Sequence, residues 1–163
     1  MKASAAQDSS VVLRARGLAT LGLTQGVDST FDPPWPVNCQ QQRSQCLQSN
    51  LWMIHGISHG LGLAVHDPVQ ASSGDGTYKI GDAFTIEPGI YISTHALDVL
   101  PDTPKNRAFK AKVRAAVERY QNTGVRIEDV YVITDRGLEW ISRAPREIDE
   151  IEAMIRTRKR AIP

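Results

Sequence analysis

Three glycines fall within seven positions at Gly56, Gly60 and Gly62, interleaved with His55 and His59 and followed by His66. Each glycine costs a helix about 1 kcal/mol relative to alanine. The stretch from Trp52 to Asp67 is therefore expected to run extended, with backbone free to approach another group closely. In an extended chain His55 and His59 share a face but stand about 13 Å apart. Two donors to one ion must lie within about 4 Å of each other, because each bond is about 2.1 Å. The two histidines cannot share an ion in that conformation. A helix would bring them together, but the helical zinc motif needs Glu directly after the first His, and Gly56 stands there.

Two carboxylates look expensive where they sit. Ala83-Phe84-Thr85-Ile86-Glu87 alternates as a strand, with Phe84 and Ile86 on one face and Thr85 and Glu87 on the other. Pro88-Gly89 ends it and Ile90-Tyr91-Ile92 continues extended. A second strand is expected over 125–134, with Arg126 and Glu128 on one face about 7 Å apart. A carboxylate within an apolar strand must be paired or bound to a cation. One imidazole with two carboxylates suits Mn²⁺, Co²⁺, Fe²⁺ or Zn²⁺, and acidic sets lean toward Mn²⁺.

Elsewhere the pattern is ordinary. A short helix is expected over 11–23, capped by Asp8, Ser9 or Ser10, with Val11, Ala15, Leu18 and Leu21 on its apolar stripe. Residues 26–36 read as loop around Pro33-Pro34-Trp35-Pro36. A loop is expected over 70–76. Residues 104–122 form the clearest helix, with Phe109, Val113, Val117 and Tyr120 aligned and Gly124 ending it. Asp135-Arg136-Gly137 turns a hairpin into Leu138-Glu139-Trp140-Ile141, and residues 146–158 form a last helix.

The chain has 163 residues and a net charge of +1, with 41% hydrophobic residues, enough for one domain with a core. Near-neutral charge argues against nucleic acid or a membrane surface as partner, and the basic run 156–160 reads as a solvated helix end. No apolar run approaches the ~20 residues of a membrane span, and no leader is visible, so a cytoplasmic location is the default. Cys39 and Cys46 read as two free thiols in a loop, with a local disulfide or a stray metal contact as alternatives.

The string from His55 to Asp67 resembles the histidine motif of the pita-bread metallopeptidases, peptidase family M24. Phe84-Thr85-Ile86-Glu87-Pro88-Gly89-Ile90-Tyr91 and Gly124-Val125-Arg126-Ile127-Glu128-Asp129 resemble its two glutamate motifs, in the family's order. The likeness spans roughly 51–152 and favours the Xaa-Pro aminopeptidase (aminopeptidase P) and prolidase branch. It implies an α+β chain with a partial pita-bread (creatinase/aminopeptidase) fold, an antiparallel curved sheet with packed helices. Residues 1–50 would be a lead-in and 51–163 the carboxyl-terminal half of a catalytic domain.

The resemblance makes His59, Glu87 and Glu128 metal ligands, with Glu128 bridging two divalent ions. His55 and His66 would line the substrate cleft, Glu87 would also shuttle a proton, and Arg126 would support the ligands from behind. The substrate would be a peptide with proline in second position. A pseudo-peptidase or binding module, or a prolidase- or creatinase-like hydrolase, are the alternatives. The family also uses two aspartates on an upstream β-hairpin. Only about fifty residues precede His55, and none of Asp8, Asp28 and Asp32 sits in such a pattern. At most one ion is therefore expected with this chain alone, together with an uncovered apolar face suited to a complementing amino-terminal half or a homo-oligomer.

Overall fold

A computed structural model describes residues 2–67 and 71–160. The expected loop at 70–76 is described from Ala71 onward, and Gln70 lies outside the described residues. Helix α1 (Ser4–Thr20) starts about two turns earlier than the sequence predicts. Its N-cap residue is Ala3, which offers no side-chain acceptor, while Ser9 bonds back to the carbonyl of Ala5 inside the helix. It buries Arg14, Ala15 and Leu18, whereas Leu21, expected on the stripe, is exposed.

After α1 the chain loops through two 3-10 turns, Arg43–Cys46 and Gln48–Trp52. Cys39 and Cys46 are not free thiols but a disulfide. The Asn38 side chain accepts from the backbone of Gln40, and the Asn38 carbonyl from Gln41 and Gln42. That turn folds the loop back so that the two Cα atoms are 5.7 Å apart.

Five strands and three further helices follow: β1 (Ala83–Ile86), β2 (Gly89–Ile92), α2 (His95–Asp98), α3 (Pro104–Tyr120), β3 (Thr123–Arg126), β4 (Asp129–Thr134), β5 (Gly137–Trp140) and α4 (Ile148–Arg160). All pairings are antiparallel: β1 with β4, β4 with β5, and β2 with β3. The single strand expected over 125–134 is therefore two strands in two sheets, interrupted at Ile127 and Glu128. Pro88 is the physical reason. It has no N–H for the ladder, so β1 and β2 separate there, and their partners separate at the same level. The registers on either side of the break agree, with Ile86 opposite Asp129 and Gly89 opposite Arg126. Continued across the gap, either register sets Glu87 opposite Glu128.

The glycine-rich segment lies against the other edge of β1. Backbone N–H groups of Leu61, Thr85 and Glu87 donate to the carbonyls of Ala83, His59 and Ile57 at 3.0, 3.0 and 2.7 Å. The extended reading holds over 57–61 only. Beyond it the chain bends and returns, with Asp67 bridged to Gly60. Gly62 permits that return, since a Cβ there would fall 1.8 Å from the Asp67 carboxylate.

The main core joins Leu18, Leu23 and Phe31 to Trp52, Ile92, Leu97 and the α3 stripe Phe109, Val113 and Val117. Helix α3 is framed as its sequence dictates, with Thr103 as N-cap accepting from Asn106 N–H and Pro104 in the first turn. Its end differs from expectation. Asn122 takes the left-handed conformation (φ +61°), and Gly124 lies inside β3. Asparagine tolerates that region because its short side chain can bond locally. The uncovered apolar face is present: Leu13, Val125 and Ile127 are exposed around a groove that Ile86, Pro88 and Ile90 also line.

Asp32 ties the loop before the disulfide to the start of α3. Its carboxylate accepts from Lys105 (2.7 Å) and Thr103 (2.6 Å), and Asn106 bonds both its N–H and its carbonyl. The bonds from Lys105 and Thr103 hold the Asp32 carboxyl below the usual carboxylate range. A folded-state value below the unfolded one, about 3.9, gives stability that is present above pH 4 and lost as pH falls through the folded value. Asp32→Asn is expected to lower unfolding free energy at pH 7 by about 1 kcal/mol, solvent screening limiting the ion pair. The deficit should shrink as pH drops below 4 in urea titrations run across that range.

Candidate metal centre

Three donors meet beside the break in the ladder. His59 Nε2 lies 3.3 Å from Glu87 Oε1 and 3.7 Å from Glu128 Oε1. One donor atom from each residue falls within 4.8 Å of the others, the single such group of three or more among the described residues. The three residues lie on different pieces of chain. His59 is carried by the segment paired to the outer edge of β1, Glu87 by the residue after β1, and Glu128 by the connector between β3 and β4.

The hydrogen bonds around the donors orient them. His59 Nδ1 is 3.0 Å from the carbonyl of Gly60. That acceptor calls for a proton on Nδ1 and turns Nε2 toward the glutamates, the atom free to face a cation there. Thr85 Oγ1 accepts from His59 N–H and donates to Glu87 Oε1 at 3.3 Å, so one hydroxyl connects two of the three residues. Arg126 stands on the far side of both carboxylates, 3.7 Å from Glu87 Oε2 and 3.9 Å from Glu128 Oε2. Each glutamate thus turns one oxygen toward the imidazole and the other toward the guanidinium. The Glu87 side chain is 8% exposed and that of Glu128 39%, so the pair is sealed on one side and open on the other.

The fit to a divalent cation rests on this arrangement. Two carboxylate oxygens and one imidazole nitrogen are converged at near-ligand separations, with the tautomer set and the spare carboxylate charge partly offset. The set is hard to borderline in character, suited to Mn²⁺, Fe²⁺, Co²⁺ or Zn²⁺.

His55 and His66 are brought to the same place. A cleft of about 200 Å³ is lined by His55, His59, His66, Glu87 and Arg126. The His66 ring stands edge-on to that of His59, centroids 4.4 Å apart. His55 Nε2 is 2.8 Å from the Tyr91 hydroxyl. The sequence places Tyr91 only in an extended run and does not show this contact. A signal for it is the two-residue spacing of Gly89 and Tyr91, which puts both on one face of β2. Gly89 makes the contact possible, since a Cβ there would lie 2.7 Å from His55 Nε2 and 2.8 Å from the Tyr91 hydroxyl. Of the upstream aspartates, Asp8 lies in α1 and Asp32 is committed to Lys105 and Thr103. Neither Asp28 nor these two belongs to the cluster.

The sequence pattern of "Metallopeptidase family M24" matches residues 37–135, which include every residue of the cluster. The chain belongs to family M24. An Xaa-Pro dipeptidase of Rattus norvegicus is 37% identical to it over 119 residues, covering 63% of this chain and 24% of that protein. An Xaa-Pro aminopeptidase of Haemophilus influenzae is 34% identical over 155 residues, covering 92% of this chain and 28% of that protein. The solved proline aminopeptidase P II of Yersinia pestis superposes on 93% of this chain and 29% of its own, with a TM-score of 0.56 and 27% identity. The M24 chain thus spans about a quarter of the length of these relatives and carries part of their α+β pita-bread fold. Among the described residues no helix is long and apolar enough to cross a membrane.

His59→Ala removes the one nitrogen donor. Losing a residue that merely supports a ligand costs roughly 10–100-fold in metal affinity, so the loss here should exceed that range in titrations with Mn²⁺ or Zn²⁺. Glu139→Gln, in a surface pair with Arg136 outside the cluster, should leave the affinity unchanged.

Proposed function

We propose that the chain supplies the histidine–glutamate side of a dinuclear Xaa-Pro aminopeptidase site, with His59, Glu87 and Glu128 as ligands. The observation that carries this reading is the convergence of His59 Nε2 and the two inward carboxylate oxygens on one point. Mn²⁺ is the favoured ion, on the strength of two carboxylates against one imidazole.

When bound, a divalent ion polarises the scissile carbonyl and makes water a nucleophile near neutral pH. The chain's own groups supply the rest. Glu87 is held by Thr85 on one oxygen and faced by Arg126 on the other. It takes the proton that the attacking water loses and passes it to the departing proline nitrogen. His66, beside His59 in the cleft, donates to the carbonyl oxygen as charge develops there. His55, tied to Tyr91, lines the cleft where the substrate backbone enters. Arg126 keeps the two carboxylates apart and aimed inward.

Three ligands suit one ion. The second needs donors from elsewhere, and the groove of about 460 Å³ between α1 and strands β2 and β3, with exposed Leu13, Val125 and Ile127, is suited to a complementing half or a second copy. Metal stoichiometry and peptide cleavage test the reading together. One ion per chain is expected alone and two after addition of a complementing segment bearing acidic ligands. Hydrolysis of an Xaa-Pro peptide should then appear and should fall by at least 10²-fold in Glu87→Gln, the scale of lost general acid–base catalysis. No bound ion would favour a non-catalytic module instead. The rat dipeptidase likeness supports a second reading, a dipeptide-specific prolidase, separated by comparing an Xaa-Pro dipeptide with longer peptides.

A further inference from the structure

Outside the metal cluster, two charged side chains are buried among the described residues, and while Asp129 is paired with Arg146, Arg14 has no partner of opposite charge. Arg14, on the inner face of α1, is 7% exposed. A guanidinium carries five N–H donors, and here two are used, one on Met53 Sδ and one on the Asn50 side-chain oxygen. Its Nε has no partner, and among the described residues no carboxylate lies within 4 Å of it. Burial pulls its pKa below the usual arginine value, the sign of a cation short of compensation. Removing a cation from water without a counter-charge is costly, and such a group is left primed for an anion.

The space beside Arg14 connects with the reaction cleft. A groove of about 1020 Å³ is lined by Arg14, Gln7, Asn50, Met53, His55 and Gly56. His55 and Gly56 also line the cleft around His59 and Glu87. His55 and Gly56 thus form the common border of the cleft and the groove, so a peptide seated on the cluster and passing His55 would enter the groove. Trp35, 47% exposed, gives the groove an aromatic wall.

We propose that Arg14 receives the terminal carboxylate of a short peptide that runs from the metal cluster past His55 into this groove. The identity of the ligand as a peptide rests on the metallopeptidase reading above; the carboxylate preference rests on Arg14 itself. Guanidinium and carboxylate match as a two-pronged pair, stronger than neutral hydrogen bonds. Arg14 is then a binding residue that sets substrate length, because the carboxylate reaches it at one length and misses it at others.

The test compares Ala-Pro, Ala-Pro-Ala and Ala-Pro-Ala-Ala, each as free acid and as carboxyl-terminal amide, by calorimetry on the 163-residue chain in EDTA. At one length the acid should bind at least ten-fold more tightly than its amide. Arg14→Met should bring the two to parity while leaving amide binding unchanged, and Arg14→Lys should keep only part of the preference. Equal binding of acid and amide at all three lengths, absence of binding by any acid, or a preference that persists in Arg14→Met would each overturn the proposal. If Arg14→Met does not fold, Arg14→Lys carries the test, and an acid preference left at its full size in Arg14→Lys would overturn the proposal. Because the measurement excludes metal, a failed metal or hydrolysis assay counts against the peptidase reading and leaves this result standing.

Discussion

The centre of this structure depends on a proline that cannot complete a ladder. The antiparallel pairing that runs through β1–β4 and resumes in β2–β3 keeps one register throughout, and Pro88 interrupts it for two residues. Within a regular ladder, Glu87 and Glu128 would be two like charges directly opposed, which is destabilising. At the interruption regular pairing stops, and both side chains find cationic or imidazole neighbours. The third donor arrives by a separate pairing. The segment 57–61 bonds to the outer edge of β1, so His59 and Glu87 are fixed relative to each other by the same strand. A one-residue slip there would turn His59 to the opposite face.

Arg126 decides how the site is balanced. Two carboxylates held this close, one nearly buried, would carry a large electrostatic cost if nothing positive stood behind them. A single guanidinium spans both, contacting the oxygens that do not face His59. Its side chain is half exposed and so keeps much of its hydration. The arrangement offsets charge without occupying the positions that face the imidazole.

Much of this was legible in the chain. Glycine spacing around the histidines predicted extended backbone, and alternation in Ala83–Glu87 placed Thr85 and Glu87 together, as the Thr85–Glu87 bond bears out. The stripe on α3 and the hairpin at Gly137 also follow from local pattern. What escaped was non-local. Residues 125–134 look continuous because nothing within them breaks a strand, and the breaker sits on the partner at Pro88. The Tyr91–His55 bond joins residues 36 apart, and the pairing of Cys39 with Cys46 depends on a turn set by Asn38. Arg14 reads as an ordinary helix residue until its burial is known.

The disulfide reaches further than its own loop. The segment it closes, 39–46, contains Ser44, whose carbonyl accepts from the Asn50 amide, and the other end of that amide group accepts from Arg14. Thiol reductants act on Cys39, the more accessible sulfur position, while Cys46 stays in the interior. The geometry around Arg14 is thereby wired to the electron supply of the surroundings: a strongly reducing milieu cuts the covalent closure of that wall, whereas the imidazole–carboxylate cluster, held by β1 and its neighbours, has no sulfur in its construction and is indifferent to it.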